Sequence, residues 1–212
     1  SEKLIKTLAE FHMVDYCEIG LNDLGKPSGF VERQVNGWKK RWDNAKHEDL
    51  DSVEKIYTWL IKHIPNNNQF SIVHNDYKLD NVMFDNNDPE KIIAIFDWDM
   101  CTLGDPLCDV GSLLSYWCIP TDPVFFQQAS TMPLDDRFYS REKLVDQYAA
   151  ISGYDVSNIR FYHVLGLYRL IGIAAQIYIR FLRGQTKDER FAIFGDMIDL
   201  VSRHGVDLIA DA

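Results

Sequence analysis

Between Phe70 and Asp97 the sequence stops being helical, and that break constrains the fold more than any other feature of the 212 residues. Residues 70–73 read as a short apolar strand, and His74–Asn81, HNDYKLDN, is too polar to be core. Residues 82–84 form a second strand, NNDP at 86–89 a turn, and IIAIF at 92–96 a buried strand that opens onto Asp97. On the N-terminal side, residues 2–13 carry Leu4, Ile5, Leu8 and Phe11 at helical spacing, followed by a loop with Gly20, Gly25, Pro27 and Gly29. Residues 31–45 read as a helix containing Trp38 and Trp42. A further helix from about Leu50 places Val53, Ile56, Leu60 and Ile64 on one stripe and stops at Pro65. After Asp105 the pattern is helical again, at about 108–117, 140–151, 158–183 and 188–204, with Ser140 and Ser157 as N-cap candidates. A Pro-containing loop at 118–138 is long enough to suggest a functional role. The expected fold is α+β and mostly α-helical, one domain over 1–212, with a small β-hairpin carrying polar loops.

Charge and composition exclude several classes. A net charge of −10 lacks the basic face of a nucleic-acid-binding domain and fits a cationic substrate only weakly. Cys17, Cys101, Cys108 and Cys118 form no C-x-x-C pair and have no zinc-type His companions, so four buried or half-buried thiols in a reducing cytosol are expected. The opening SEKLIKTLAEFH has no apolar run suited to a signal peptide. Residues 164–182 approach membrane-spanning length, but Arg169, Gln176 and Arg180 interrupt them. A charge at mid-bilayer costs about 2.5–3.5 kcal/mol on insertion scales. The stretch therefore reads as a buried core helix, and the chain as cytoplasmic, with no nucleic-acid or membrane partner.

The segment His74–Asn81 fits the pattern H-x-D-x-x-x-x-N of kinase catalytic loops. In that pattern the Asp, here Asp76, accepts the proton of the substrate hydroxyl, and the Asn, here Asn81, binds magnesium on the phosphates. A short loop between two strands can hold both at fixed separation. Asp97, where a buried strand opens into a loop, is placed to bind Mg²⁺ bridging the phosphates of ATP. The interval from Asn81 to Asp97 accommodates one hairpin, which sets the two candidate ligands at the ends of adjacent strands.

HNDYKLDN, IIAIFDWD and LGDPLCDVGSLLSYW together resemble the aminoglycoside phosphotransferase and choline kinase superfamily of protein-kinase-like folds. The flanking GFVERQVNGWKKRW and FYHVLGLYRLIGIAAQ resemble its branch of kinase domains fused to acyl-CoA dehydrogenases. The resemblance runs from about Leu4 to Arg203. It implies Asp76 as catalytic base, Asn81 and Asp97 as magnesium ligands, and His74 and Asp109 as structural ties between the catalytic loop and the following helix. It also implies Lys78 as a cation facing the γ-phosphate. Trp98-Asp99 stands where protein kinases have Phe-Gly, as the small-molecule branch implies. No Gly-rich loop and no strand Lys with a helix Glu partner precede the catalytic loop, so the expectation is a C-terminal lobe whose ATP-grasping N-terminal lobe would lie before Ser1. The branch suggests a hydroxylated acyl thioester or another small alcohol as acceptor; an aminoglycoside or choline is also compatible.

Other residues admit more than one reading. Asp99 is a second metal ligand, a contact to a substrate cation or a plain loop acid. Asp105 caps or turns the chain before the helix. Arg169, on an apolar helix, either faces the acceptor pocket or pairs with a loop acid, since an unpaired buried charge is costly. Tyr116, Trp117, Tyr162 and Tyr168 wall the acceptor site or fill the core. Arg33, Lys39, Lys40 and Arg41 read as a solvated face. Two competing functions remain: a non-catalytic, pseudokinase-like module binding a ligand or partner, and a haloacid-dehalogenase-type phosphatase forming an aspartyl-phosphate on Asp97.

Overall fold

The computed structural model describes residues 1–66, 69–130 and 132–210. Three helices lead the chain: α1 (Glu2–His12), α2 (Phe30–Ala45) and α3 (Asp51–Lys62). Four short strands follow, β1 (Ser71–Val73), β2 (Val82–Phe84), β3 (Ile92–Ile95) and β4 (Thr102–Gly104). The remainder is α4 (Leu107–Tyr116), α5 (Val124–Ala129), α6 (Arg141–Ser152), α7 (Ile159–Leu182) and α8 (Phe194–Ala210).

α7 is the axis of the core, packed against α2, α3, α4 and α8. It is long and apolar enough to cross a membrane by length and composition, yet its side chains from Phe161 to Ala175 are largely buried among these neighbours, as expected of a core helix. The α4–α7 approach depends on two glycines. A Cβ on Gly111 would collide with the Tyr162 carbonyl, and one on Gly166 with Ser115 Oγ and the Gly111 carbonyl.

The strands form two separate antiparallel pairs, β1 with β4 and β2 with β3. In the first, Ser71 faces Gly104 and Val73 faces Thr102. In the second, Val82 faces Ile95 and Met83 faces Ala94. β4 was not anticipated from the sequence; its Thr102–Gly104 is too short to show a period. The hairpin turn falls where NNDP predicts it: Asp85 and Asp88 accept backbone N–H bonds from Asn87 and Glu90, and Lys91 N–H bonds the Asp88 carbonyl at 2.9 Å.

Several expectations are corrected. β3 is not a buried strand: Ile93 is 49% and Phe96 45% exposed, because a two-stranded hairpin resting one face on the helical body leaves the other open. β3 also pairs only antiparallel among the described residues, so the alternating α/β architecture needed for a dehalogenase-type nucleophile at Asp97 is not present there. Ser140 caps α6, accepting Lys143 N–H at 3.2 Å, but Ser157 caps nothing; it is held in a turn by Asp155, and Asn158 occupies the cap position of α7. The 118–138 loop contains α5, and its Thr131 lies outside the described residues. Cys17, in the loop after α1, is exposed and not buried or half-buried. The last helix begins as a 3₁₀ turn at Glu189–Ile193 and runs on to Ala210.

Candidate active site

The loop after β1 is built on a buried carboxylate. Asp109, in the first turn of α4, is 0% exposed; its Oδ2 accepts His74 N–H at 2.6 Å and its Oδ1 accepts Asn75 N–H at 2.7 Å. Asn75 takes a left-handed conformation (φ 63°), which asparagine tolerates better than most residues, and its side chain donates to the Met100 carbonyl at 2.8 Å. A third donor reaches Asp109 from α1: His12 Nε2–H at 3.2 Å, while Tyr148 O–H donates to His12 Nδ1 at 2.7 Å. The carboxylate can only accept, which fixes this tautomer. His12 escaped sequence reasoning because 97 positions separate it from Asp109; its one signal is its place four residues after Leu8 on the apolar stripe of α1.

His74 ties the loop to the end of the β2–β3 hairpin. Its Nε2–H donates to the Phe96 carbonyl at 2.8 Å and its Nδ1 accepts Asp76 N–H at 3.2 Å, so both ring nitrogens are occupied by backbone. Its ring lies 4.7 Å from that of Trp98.

Asp76 is the convergence point. Its Oδ2 accepts from Lys78 Nζ at 2.7 Å and from Asn81 Nδ2 at 3.0 Å, and its Oδ1 accepts from Arg169 Nη2 at 3.3 Å. Arg169 Nη1 also donates to the Asn75 carbonyl. The arginine therefore resolves as a partner of the loop acid, reaching from α7 with its guanidinium 5.7 Å from the Trp38 ring. Burial opposes the charge on Lys78, but the Asp76 hydrogen bond and the neighbouring acids outweigh it and hold the ammonium above the ordinary lysine range.

Asn81 closes the loop by donating to the Asp76 carbonyl at 2.8 Å, and its own carbonyl accepts Phe96 N–H at 2.8 Å. That cross-strand bond sets Asp97 one residue beyond the point facing Asn81. Asp97 is exposed, has φ 63°, and its carboxylate has no hydrogen-bond or ion-pair partner among the described residues. Because Asn81 engages its Nδ2 only, its Oδ1 also lacks a partner there. A carboxamide oxygen and a carboxylate are hard ligands suited to Mg²⁺, which takes one or two protein groups and fills its shell with phosphate and water. The residues thus fit the ion. Asp99 sits in the exposed turn at Trp98–Met100, and no contact among the described residues joins it to Asp76, Lys78 or Asn81. Asp105 accepts Leu107 N–H at 3.0 Å and so turns the chain into α4.

A cavity of about 180 Å³ opens beside Lys78, with walls that include Tyr116, Trp117, Phe126, Leu170 and Met197. Lys78 Nζ stands 5.1 Å over the Tyr116 ring. Tyr162 and Tyr168 are not part of this wall; both are buried core residues, and Tyr162 O–H donates to Asp105 at 2.5 Å. Arg141 closes the far side, pairing with Asp122 at 2.7 Å and donating to the Trp117 carbonyl at 2.5 Å.

Among solved structures, a Ralstonia eutropha protein assigned to the aminoglycoside phosphotransferases matches with a TM-score of 0.88 and 28% identity, over 99% of this chain and 64% of that one. An amicoumacin kinase in complex with AMP-PNP and Ca²⁺ shares the fold, with a TM-score of 0.58 and 15% identity over 98% of this chain and 59% of that one. Acyl-CoA dehydrogenase family member 11 of Pongo abelii is 28% identical over 208 residues, 97% of this chain but only 26% of the relative's length. The sequence model of the phosphotransferase enzyme family matches residues 1–143, which span the catalytic-loop pattern, both strand pairs and Asp109, and the chain belongs to that family.

Proposed function

We propose that this chain carries the catalytic loop of an ATP- and Mg²⁺-dependent phosphotransferase whose acceptor is the hydroxyl of a small molecule. The observation that carries the reading is the setting of Asp76, gripped by Lys78, Asn81 and Arg169, with Lys78 also lining the cavity and the oxygens of Asn81 and Asp97 without a partner among the described residues. The acceptor lies in the cavity with its hydroxyl toward Asp76, which orients it and receives its proton. Lys78 exchanges its Asp76 contact for the γ-phosphate, and Arg169 remains behind so that the carboxylate keeps a cationic partner. Asn81 and Asp97 would hold Mg²⁺, which when bound would supply neutralisation of phosphate charge. Asp99 has no part in this scheme.

The mostly apolar walls favour an acceptor with an apolar body over a polycation, which a protein of net charge −10 would otherwise suggest. The open face of the β2–β3 hairpin, with Met83, Ile93 and Phe96 exposed, is where a nucleotide base and a further lobe would close over the site. The test is transfer of labelled γ-phosphate from ATP to a panel of small alcohols, comparing the unsubstituted protein with Asp76→Asn. The reading expects the rate to fall by about 10²–10⁴; equal turnover in the variant would refute the assignment of Asp76.

A further inference from the structure

α2 and α7 run side by side in the same direction. Trp38 lies against Gly172 and Arg169, and further along Asn44 and Ala45 share a cleft with Gln176 and Arg180. The two C-terminal ends therefore meet, about 16 Å along α7 from Arg169 at the helical rise, at a cleft of about 230 Å³. Arg41, Arg180 and Arg183 line it together with the amides of Asn44, Gln176 and Gln185, and no carboxylate does.

Six of the seven other arginines are spoken for. Arg137, Arg141, Arg169, Arg190 and Arg203 pair with carboxylates and Arg33 donates to backbone carbonyls. Among the described residues only Arg41, Arg160, Arg180 and Arg183 lack such a partner, and three of these four share this cleft.

Complementing the helix dipoles does not account for them. Two helix C-termini contribute about half a negative charge each, roughly −1 in total, against three guanidinium charges. Backbone already closes part of each end: Gly184 N–H bonds the Phe181 carbonyl at 2.9 Å, Gln185 N–H bonds that of Arg180 at 2.9 Å, and Lys46 N–H bonds that of Trp42 at 2.7 Å. Arg41 also has a local support. Its guanidinium carbon lies 4.5 Å from the centre of the Trp38 ring, a cation–π distance. A Cβ on Gly37 would come within 3.2 Å of Arg41 Nη1, so the glycine gives that side chain room.

We propose that the α2–α7 cleft is an anion site for a small molecule bearing a phosphate or diphosphate group, held by the guanidinium forks of Arg41, Arg180 and Arg183. Planar forks match tetrahedral oxyanions, and charge-assisted bonds of this kind are about twice as strong as neutral ones. The cleft has room for such a group and not for a polymer, and the overall charge of −10 repels nucleic acid. This assignment stands whether or not Asp76 is catalytic.

The test is calorimetric titration of sodium pyrophosphate into the 212-residue chain, without metal and with EDTA present, alongside Arg180→Glu and Arg183→Glu. Both positions are exposed, and melting curves confirm that the variants fold. The expected result is saturable one-to-one binding, weakened at least tenfold by either reversal and weakened again by added salt. An ADP arm separates the two sources of the group: tighter binding than pyrophosphate assigns a nucleoside diphosphate, and equal binding a free diphosphate. No saturable binding, equal binding by the charge-reversed variants, or binding that sulfate matches in strength would each overturn the proposal.

Discussion

Asp76 owes its position to residues that approach it from opposite directions. Lys78 comes from its own loop, and Arg169 from the middle of α7, where a mostly buried charge is tolerable only because the Asn75 carbonyl and the Asp76 carboxylate receive it. Arg169→Gln keeps much of the volume and removes the charge. Breaking a buried pair in this way costs about 3 kcal/mol, softened here because Lys78 still neutralises Asp76. Urea unfolding should show a loss of that order, and a loss below about 0.5 kcal/mol, the range of an ordinary surface substitution, would show that the pairing is incidental. His163, also on α7, makes a separate prediction. The residue is half-buried, its Nε2 is sealed from solvent without a partner among the described residues, and burial, with the Arg141 charge beside it, pushes its pKa down to about 3. A histidine depressed from about 6.5 takes up its proton more readily when unfolded, so its contribution is complete above pH 6.5 and is lost as the pH falls from there toward 3. His204 is lowered as well, mainly by burial, and acts in the same direction. Stability measured across this window should fall with acid less steeply in His163→Gln; identical slopes would contradict the buried neutral ring.

At the scale of elements, the decisive contact is the one between α4 and α7. It places Asp109 under the loop from one side and Arg169 from the other, and it exists because Gly111 and Gly166 let the two backbones touch. Alanine at a helix-interior glycine ordinarily gains about 1 kcal/mol of propensity. At Gly166 the sign should reverse, since the added methyl would press into Ser115 and the Gly111 carbonyl, and overpacking of this kind costs about 1–3 kcal/mol. A melting temperature raised by Gly166→Ala would contradict the packing. The sequence shows the helices themselves, because their stripes are periodic, and it shows the hairpin, because NNDP is a strong turn. It does not show which helices touch, since neither glycine differs locally from any other interior glycine. It also misjudges β3, because an apolar run looks the same whether a second layer covers it or not.

For the whole molecule, the legible part of the candidate site is the part written in nearby residues: His74, Asp76, Lys78, Asn81 and, one hairpin later, Asp97. Partners supplied by other elements are not legible, and these are His12 from α1, Tyr148 from α6 and the choice of Asp76 as the mate of Arg169. They are set by long-range packing, for which a single sequence carries only the hint of a polar residue on an apolar stripe. In the proposed function, one loop and one hairpin end together form a nucleotide- and metal-binding catalytic face. Calorimetric titration of Mg·ATP into the 212-residue protein, beside the Asn81→Ala, Asp97→Ala double variant, tests this. The account predicts saturable, magnesium-dependent binding that weakens at least tenfold in the variant, about 1.4 kcal/mol; binding of equal strength in both proteins would contradict it.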